Sequence, residues 1–134
     1  MKTWNGASVI VINNNKLLIV KSKSEQKWSI PTGGIEKEEA SEEAAIREVF
    51  EETGYSITIL NHIKTLSKLV KEYNVTVDYF LGEVYSGEML NNDPDDEIEE
   101  IKWITIYEYD DIDWMYPEDE LFIKSYLKPG DQYV

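Results

Sequence analysis

The spacing of apolar residues divides the chain into a strand-forming start, one helix, a second run of strands and a mixed C-terminal segment. GASVIVI (6–12) and KLLIV (16–20) are β-branched and apolar, and Asn13, Asn14 and Asn15 between them tolerate turn backbone angles. The pair predicts a hairpin. KWSIPTGG (27–34) reads as a short strand stopped by Pro31, opening into Gly33-Gly34, where backbone can approach a ligand closely. The pattern then turns helical. Ser41 is placed as an N-cap, Glu42 and Glu43 fall in the first turn where the helix dipole favours anions, and Gly54 is placed as a C-terminal cap, predicting a helix over about 42–53.

SITIL (56–60), HIKTLSKLV (62–70) and VTVDYFLGEVY (75–85) read as successive strands, SGEMLNNDPDDE (86–97) as a polar loop, and IEEIKWITI (98–106) as a further strand. Residues 107–128 predict one or two short helices, with Pro117 near the start of the second. Strands on both sides of a central helix, with more helix at the end, predict an α/β domain whose sheet is covered on both faces. The length of 134 residues suits a single domain over 1–134.

Charge narrows the partners. With 27 acidic against 13 basic side chains the net charge is −14, which repels the phosphates of a nucleic-acid duplex and an anionic membrane surface. A phosphate-bearing small molecule would need cations to mediate its contact. There is no cysteine, which excludes disulfides, iron–sulfur clusters and thiol catalysis and suits a reducing compartment. No apolar run reaches membrane-spanning length, and the first residues lack the apolar core of a signal peptide. The expectation is a cytoplasmic protein.

Residues 33–55 hold eight glutamates and the chain's one arginine, Arg47. With Glu48 set at zero, a step of about 100° per residue puts Glu52 near 40° and Glu51 near −60°, a shared acidic sector. Ile46, Val49, Phe50 and Thr53 fall on the other side and are the expected packing face. Arg47 precedes Glu51 by four residues and can pair with it. A solvated acidic face is the ordinary reading of such a run. The alternative is a site for Mg²⁺ or Mn²⁺, hard cations that take oxygen ligands and cancel the repulsion.

The spacing decides between them. Gly33, Glu39, Arg47, Glu48, Val49, Glu51, Glu52, Gly54 and Tyr55 fall where the signature box of the Nudix hydrolases has its fixed residues, and the stretch resembles that box. Shuffling this composition would produce the seven strict positions in roughly one chain per million. Tyr55 stands where the family has an aliphatic residue, and Thr32 and Glu38 where it commonly has glycine. The resemblance implies an α/β/α sandwich around a mixed sheet and hydrolysis of a diphosphate linkage in a nucleoside diphosphate derivative, with Mg²⁺ or Mn²⁺ as cofactor. It implies Glu48, Glu51 and Glu52 as metal ligands, with Glu51 also a candidate base, Arg47 as an orienting residue and Gly33 and Gly34 as the backbone that approaches substrate. Glu39 and Gly54 carry over as supporting residues. A non-catalytic nucleotide sensor of the same fold is the alternative.

Outside the box, Glu97 and Glu100 are candidates for one more metal ligand, against a solvated loop as the plain reading. His62, the single histidine, reads as a surface or hairpin residue rather than a base. Trp28, Trp103 and Trp114 can stack on a nucleobase, with a core role as the default. Val70 stands where the ADP-ribose subgroup tends to have proline, and Tyr73 follows Tyr55 at a spacing seen in dinucleoside polyphosphate hydrolases. The leaning is toward a nucleoside triphosphate or dinucleoside polyphosphate.

Overall fold

The computed structural model describes residues 2–129. The hairpin forms as β1 (Lys2–Asn13) and β2 (Lys16–Ser22), with Asn13 paired to Lys16. Asn14 and Asn15 both take positive φ, 51° and 60°, as a two-residue turn matched to strand twist requires. Around Pro31 the chain makes two short strands, β3 (Trp28–Ser29) and β4 (Thr32–Gly34). Helix α1 (Ser41–Thr53) follows, then β5 (Tyr55–Val70), β6 (Tyr73–Gly87) and β7 (Ile98–Ile104).

The seven strands make one mixed sheet in the order β3-β2-β1-β6-β5, with β4 paired to β1 and β7 to β2. The β1–β6 pair is parallel and the others are antiparallel. The two strands expected over 56–60 and 62–70 are one. Register shifts at Ile59/Asn61 and His62/Lys64 absorb the break in apolar alternation as bulges, so β5 continues through it.

Alternation along β1 divides the interior. Ala7, Val9 and Val11 face α1, packing with Leu18, Ala44, Ala45, Val49, Ile57 and Phe80. Ile10 points the other way, into a second cluster with Leu17, Ile19, Trp28, Ile30 and Tyr79. The C-terminal segment covers that second face through Tyr109, Trp114, Ile123 and Leu127. It holds 3₁₀ turns at Tyr109–Asp111 and Pro117–Asp119 and a short helix α2 (Glu120–Lys124), where one or two short helices are expected. The result is the layered α/β/α arrangement. No helix among the described residues is long and apolar enough to cross a membrane. The single-domain expectation also takes in residues 1 and 130–134, which lie outside the described residues.

The packing face of α1 differs from the expected one. Ile46 and Phe50 are 38% and 46% exposed, while Ala44, Ala45, Val49, Thr53 and Glu52 are buried. The two alanines allow close approach to β1, and they rotate the buried face until it is centred about 60° from Glu48 rather than opposite it. Glu52 is thereby drawn inside. The acids do not form an outer rim.

Candidate active site

Helix α1 begins one residue earlier than its serine suggested. Ala40 is the extended residue before it, and its N–H donates to Glu43 Oε1 at 2.9 Å. Ser41 is the first helical residue, and its hydroxyl is bound instead to the carboxylate of Asp78 on β6. Gly54 closes the helix as expected, with φ 82° and its N–H on Phe50 O at 2.9 Å. The loop after β6 ties down the same end: Leu90 N–H donates to Thr53 O and Asn92 N–H to Glu51 O, both at 2.9 Å. Carbonyls that a helix end leaves free are satisfied there.

The register of β1 with β4, Ala7 opposite Gly33 and Ser8 opposite Thr32, sets the glycine loop against α1. Glu52 is 6% exposed and receives the N–H of Thr32. Burial pushes its carboxyl well above the usual range, and the charge of Glu48 beside it adds to the effect. The hydrogen bond between the two carboxyls raises Glu52 further and lowers Glu48. Burial raises Glu48 too, against opposing bonds from Glu52 and Arg47. Two adjacent carboxyls, one buried and one half-buried, oppose each other's ionisation. Glu48 lies directly over Gly33, where any side chain would collide with it, whereas a Cβ at Gly34 would make ordinary contact with Trp4 at 3.6 Å. Only the first of the two glycines is demanded sterically.

Arg47 gathers the remaining acids. Its Nε and Nη2 donate to Glu39 at 2.8 and 3.0 Å, Nη1 to Glu48 at 2.8 Å and Glu51 at 3.1 Å, and Nη2 also to Gly34 O at 2.9 Å. These carboxylates, Glu39 first, push the guanidinium further above its already high range. Glu39 in turn accepts the N–H of Glu36 at 3.0 Å, so it braces both the arginine and the loop. Among the described residues no three acidic or histidine side chains converge on one point. Glu48 is divided between Arg47 and Glu52, and Glu51 is turned to Arg47.

The two acids expected from the following segment lie elsewhere. Glu97 Oε1 accepts the Ser22 hydroxyl at 2.6 Å, the Ser24 N–H at 2.9 Å and the Ser24 hydroxyl at 2.5 Å, which hold its carboxyl down to about 2. Glu100 is exposed on β7, paired in register with Lys21. Asp93 is the loop acid whose charge reaches Glu52. Its own carboxylate caps the loop, accepting the N–H groups of Asp95 at 3.2 Å and Glu97 at 2.7 Å. Nothing in its spacing from the helix marks Asp93, because the loop's docking onto the end of α1 brings it there. Thr32 is the other residue that spacing alone misses.

On the opposite face of the sheet, between β1, β6 and the C-terminal segment, lies a cavity of about 260 Å³. Trp4, Trp28, Trp114 and Tyr116 supply its aromatic walls, and it reaches Ser8 and Thr32, one peptide from Gly33. Trp28 and Trp114 are each 8% exposed, so they belong to the core and line the cavity at once. Trp103 is elsewhere, donating to Tyr55 Oη at 3.1 Å. His62 is half exposed on β5, within 3.3 Å of Asp78 and 3.2 Å of Thr65, a surface strand residue as expected.

This fold and helix define a recognisable class: residues 2–126 match the NUDIX domain, and the chain belongs to that family. A Bacillus subtilis protein named as a candidate 8-oxo-dGTP diphosphatase is 32% identical over 101 residues, 75% of this chain and 65% of its own length. An 8-oxo-(d)GTP phosphatase of Mycolicibacterium smegmatis is 25% identical over 75% of this chain and 30% of its own. The chain thus spans less than two thirds of these relatives. Among solved structures, a NUDIX hydrolase from Nitrosomonas europaea superimposes with a TM-score of 0.80 at 20% identity, covering 99% of this chain and 96% of that one. The expected fold is the observed one.

Proposed function

We propose that this chain is a divalent-cation-dependent hydrolase that cleaves the diphosphate linkage of a nucleoside diphosphate derivative, a nucleoside triphosphate or dinucleoside polyphosphate by preference. The observation that carries the reading is the pair of a buried Glu52 and a half-buried Glu48 beneath Gly33. A fold gains no stability from two adjacent carboxyls without a cation, and their oxygens suit a hard ion. Mg²⁺ or Mn²⁺ would be held by Glu48 and Glu52, with Glu51 as third acid and Asp93 as the loop acid nearest to them. Bound there, the ion supplies Lewis acidity toward phosphate and a water of lowered pKa.

The chain's own groups do the rest. Thr32 N–H anchors Glu52, Arg47 holds Glu48 and Glu51 at fixed orientations, and bare backbone at Gly33 leaves the phosphates room to approach. Glu51 is the more exposed acid, at 24% against 14% for Glu48, which supports it as a candidate to accept a proton from attacking water. The aromatic cavity beyond Thr32 seats the nucleoside. Relatives named for 8-oxo-dGTP and 8-oxo-(d)GTP support a nucleotide substrate. A cysteine-free chain suits a cytoplasmic setting.

The test is turnover. With Mg²⁺ and a panel of nucleoside triphosphates, dinucleoside polyphosphates and nucleoside diphosphate sugars, the wild type is expected to release phosphate or pyrophosphate products. Glu52→Gln is expected to lose at least about 10²-fold in rate, the scale on which a charge-stabilising group counts. An unchanged rate in that variant overturns the reading.

A further inference from the structure

The sheet ends on one side at β5, and among the described residues no strand pairs with its outer edge. Edges are ordinarily kept short, bulged or charged, because unpaired N–H and C=O groups recruit other strands. β3 and β4 are short, and β7, which pairs only with β2, carries Glu99, Glu100 and Lys102. The first part of β5 is broken by register shifts at Ser56/Ile57, Ile59/Asn61 and His62/Lys64. The stretch from Lys64 to Val70 lacks these protections. It matches Tyr79 to Tyr73 on β6 residue for residue, and Thr65 through Val70 are exposed, Leu69 to 64%. Its two lysines are engaged by the C-terminal segment, Lys64 Nζ 3.5 Å from the centre of the Phe122 ring and Lys68 Nζ 2.9 Å from Glu118. No Asp or Glu lies between Thr53 and Lys71, in a chain that holds 27 of them. Along this edge two copies of net charge −14 can meet without facing acids.

We infer that the Lys64–Val70 edge pairs antiparallel with the same edge of a second copy, making one continuous sheet across a two-fold dimer. A two-fold axis normal to the sheet keeps each face on its own side, so the residue on the axis lies opposite itself and its neighbours pair symmetrically about it. An axis at Leu66 would set Lys64 against Lys68, and one at Lys68 would set that lysine against its own copy, which like charges disfavour. Axes at Thr65 or Leu69 run into the bulges or into the hairpin turn. An axis at Ser67 overlays the whole regular stretch on its counterpart. It puts Lys64 opposite Val70, Lys68 opposite Leu66 and Thr65 opposite Leu69, and it brings Glu72 at each hairpin tip toward His62 of the second copy. Ser67 is therefore the residue on the axis.

The chain has no cysteine, so a single introduced thiol reports the register. Sedimentation equilibrium of the full chain is expected to show dimer in exchange with monomer at about 100 µM. Ser67→Cys is expected to link into a disulfide dimer under mild oxidation, and Thr58→Cys, exposed on the bulged part of the same strand, is not. Ser67→Glu and Ser67→Lys are each expected to weaken the dimer at least about 10-fold, and an equimolar mixture of the two to restore it, which chains that had merely failed to fold could not do. A wild type that stays monomeric at that concentration, a dimer unchanged by Ser67→Glu, a mixture that does not recover, or linkage at Thr58→Cys as fast as at Ser67→Cys would overturn the inference.

Discussion

A Cβ on Gly33 would stand 2.0 Å from Cδ of Glu48 and 2.3 Å from both of its oxygens. The carboxylate of the helix rests on the bare backbone of the loop, so neither can move without the other. Gly33→Ala must push Glu48 aside. Misplacement of a reacting group by about 1 Å costs on the order of 10²-fold in rate, so kcat is expected to fall by about that factor while the melting temperature drops by only a few degrees. Gly34→Ala, facing Trp4 at ordinary contact distance, is expected to keep most of its activity. Steady-state kinetics of the two variants side by side checks this.

Arg47 is the single guanidinium that Glu39, Glu48 and Glu51 share. Lysine at this place cannot fork to reach all of them and Gly34 O together. Arg47→Lys is expected to cost about 1–2 kcal/mol of stability and Arg47→Ala about 3 kcal/mol, since uncompensated carboxylates are left behind. Chemical denaturation measures both, and a loss below about 0.5 kcal/mol for alanine would contradict the role.

Two acids titrate with opposite consequences. Glu52 is raised by burial and by Glu48, so between the ordinary carboxylate range and its raised value the folded chain binds more protons than the unfolded one. Metal-free stability therefore falls as pH rises through that window. Glu97, held near 2 by Ser22 and Ser24, contributes stability above the ordinary range that is lost as pH falls toward about 2. Denaturation across pH is expected to show the decline above the ordinary carboxylate range vanish in Glu52→Gln and the acid limb flatten in Glu97→Gln. Curves that stay parallel to the wild type would refute these assignments.

Gly54 combines a left-handed φ of 82° with a crowded site, where a Cβ would lie 2.3 Å from Glu88 O. Gly54→Ala is expected to destabilise by about 2 kcal/mol or more and to loosen the loop that brings Asp93 toward Glu52. Faster amide exchange at Leu90 and Asn92, whose N–H groups bind the helix end, would report it.

Much of this was legible from residues alone, because local rules govern it. The asparagine turn, the glycine at the end of α1 and the box spacing each depend on neighbours a few positions apart. The helix face was misread because Ala44 and Ala45 carry little hydrophobic signal, yet their small size decides how closely α1 approaches β1 and therefore that Glu52 is buried. Long-range relationships left no trace in spacing. Asp93 reaches the site only through loop docking, Glu97 turns to serines far away in sequence, and the Thr32–Ser8 pair exists only once β4 lies against β1.

The Glu48–Glu52 pair as the seat of a divalent cation is tested most directly by manganese titration followed by electron paramagnetic resonance. Wild type and Glu42→Gln, altered at an exposed first-turn acid, are expected to bind alike, and Glu52→Gln to bind at least about 10-fold more weakly. Undiminished manganese affinity in Glu52→Gln would contradict the account.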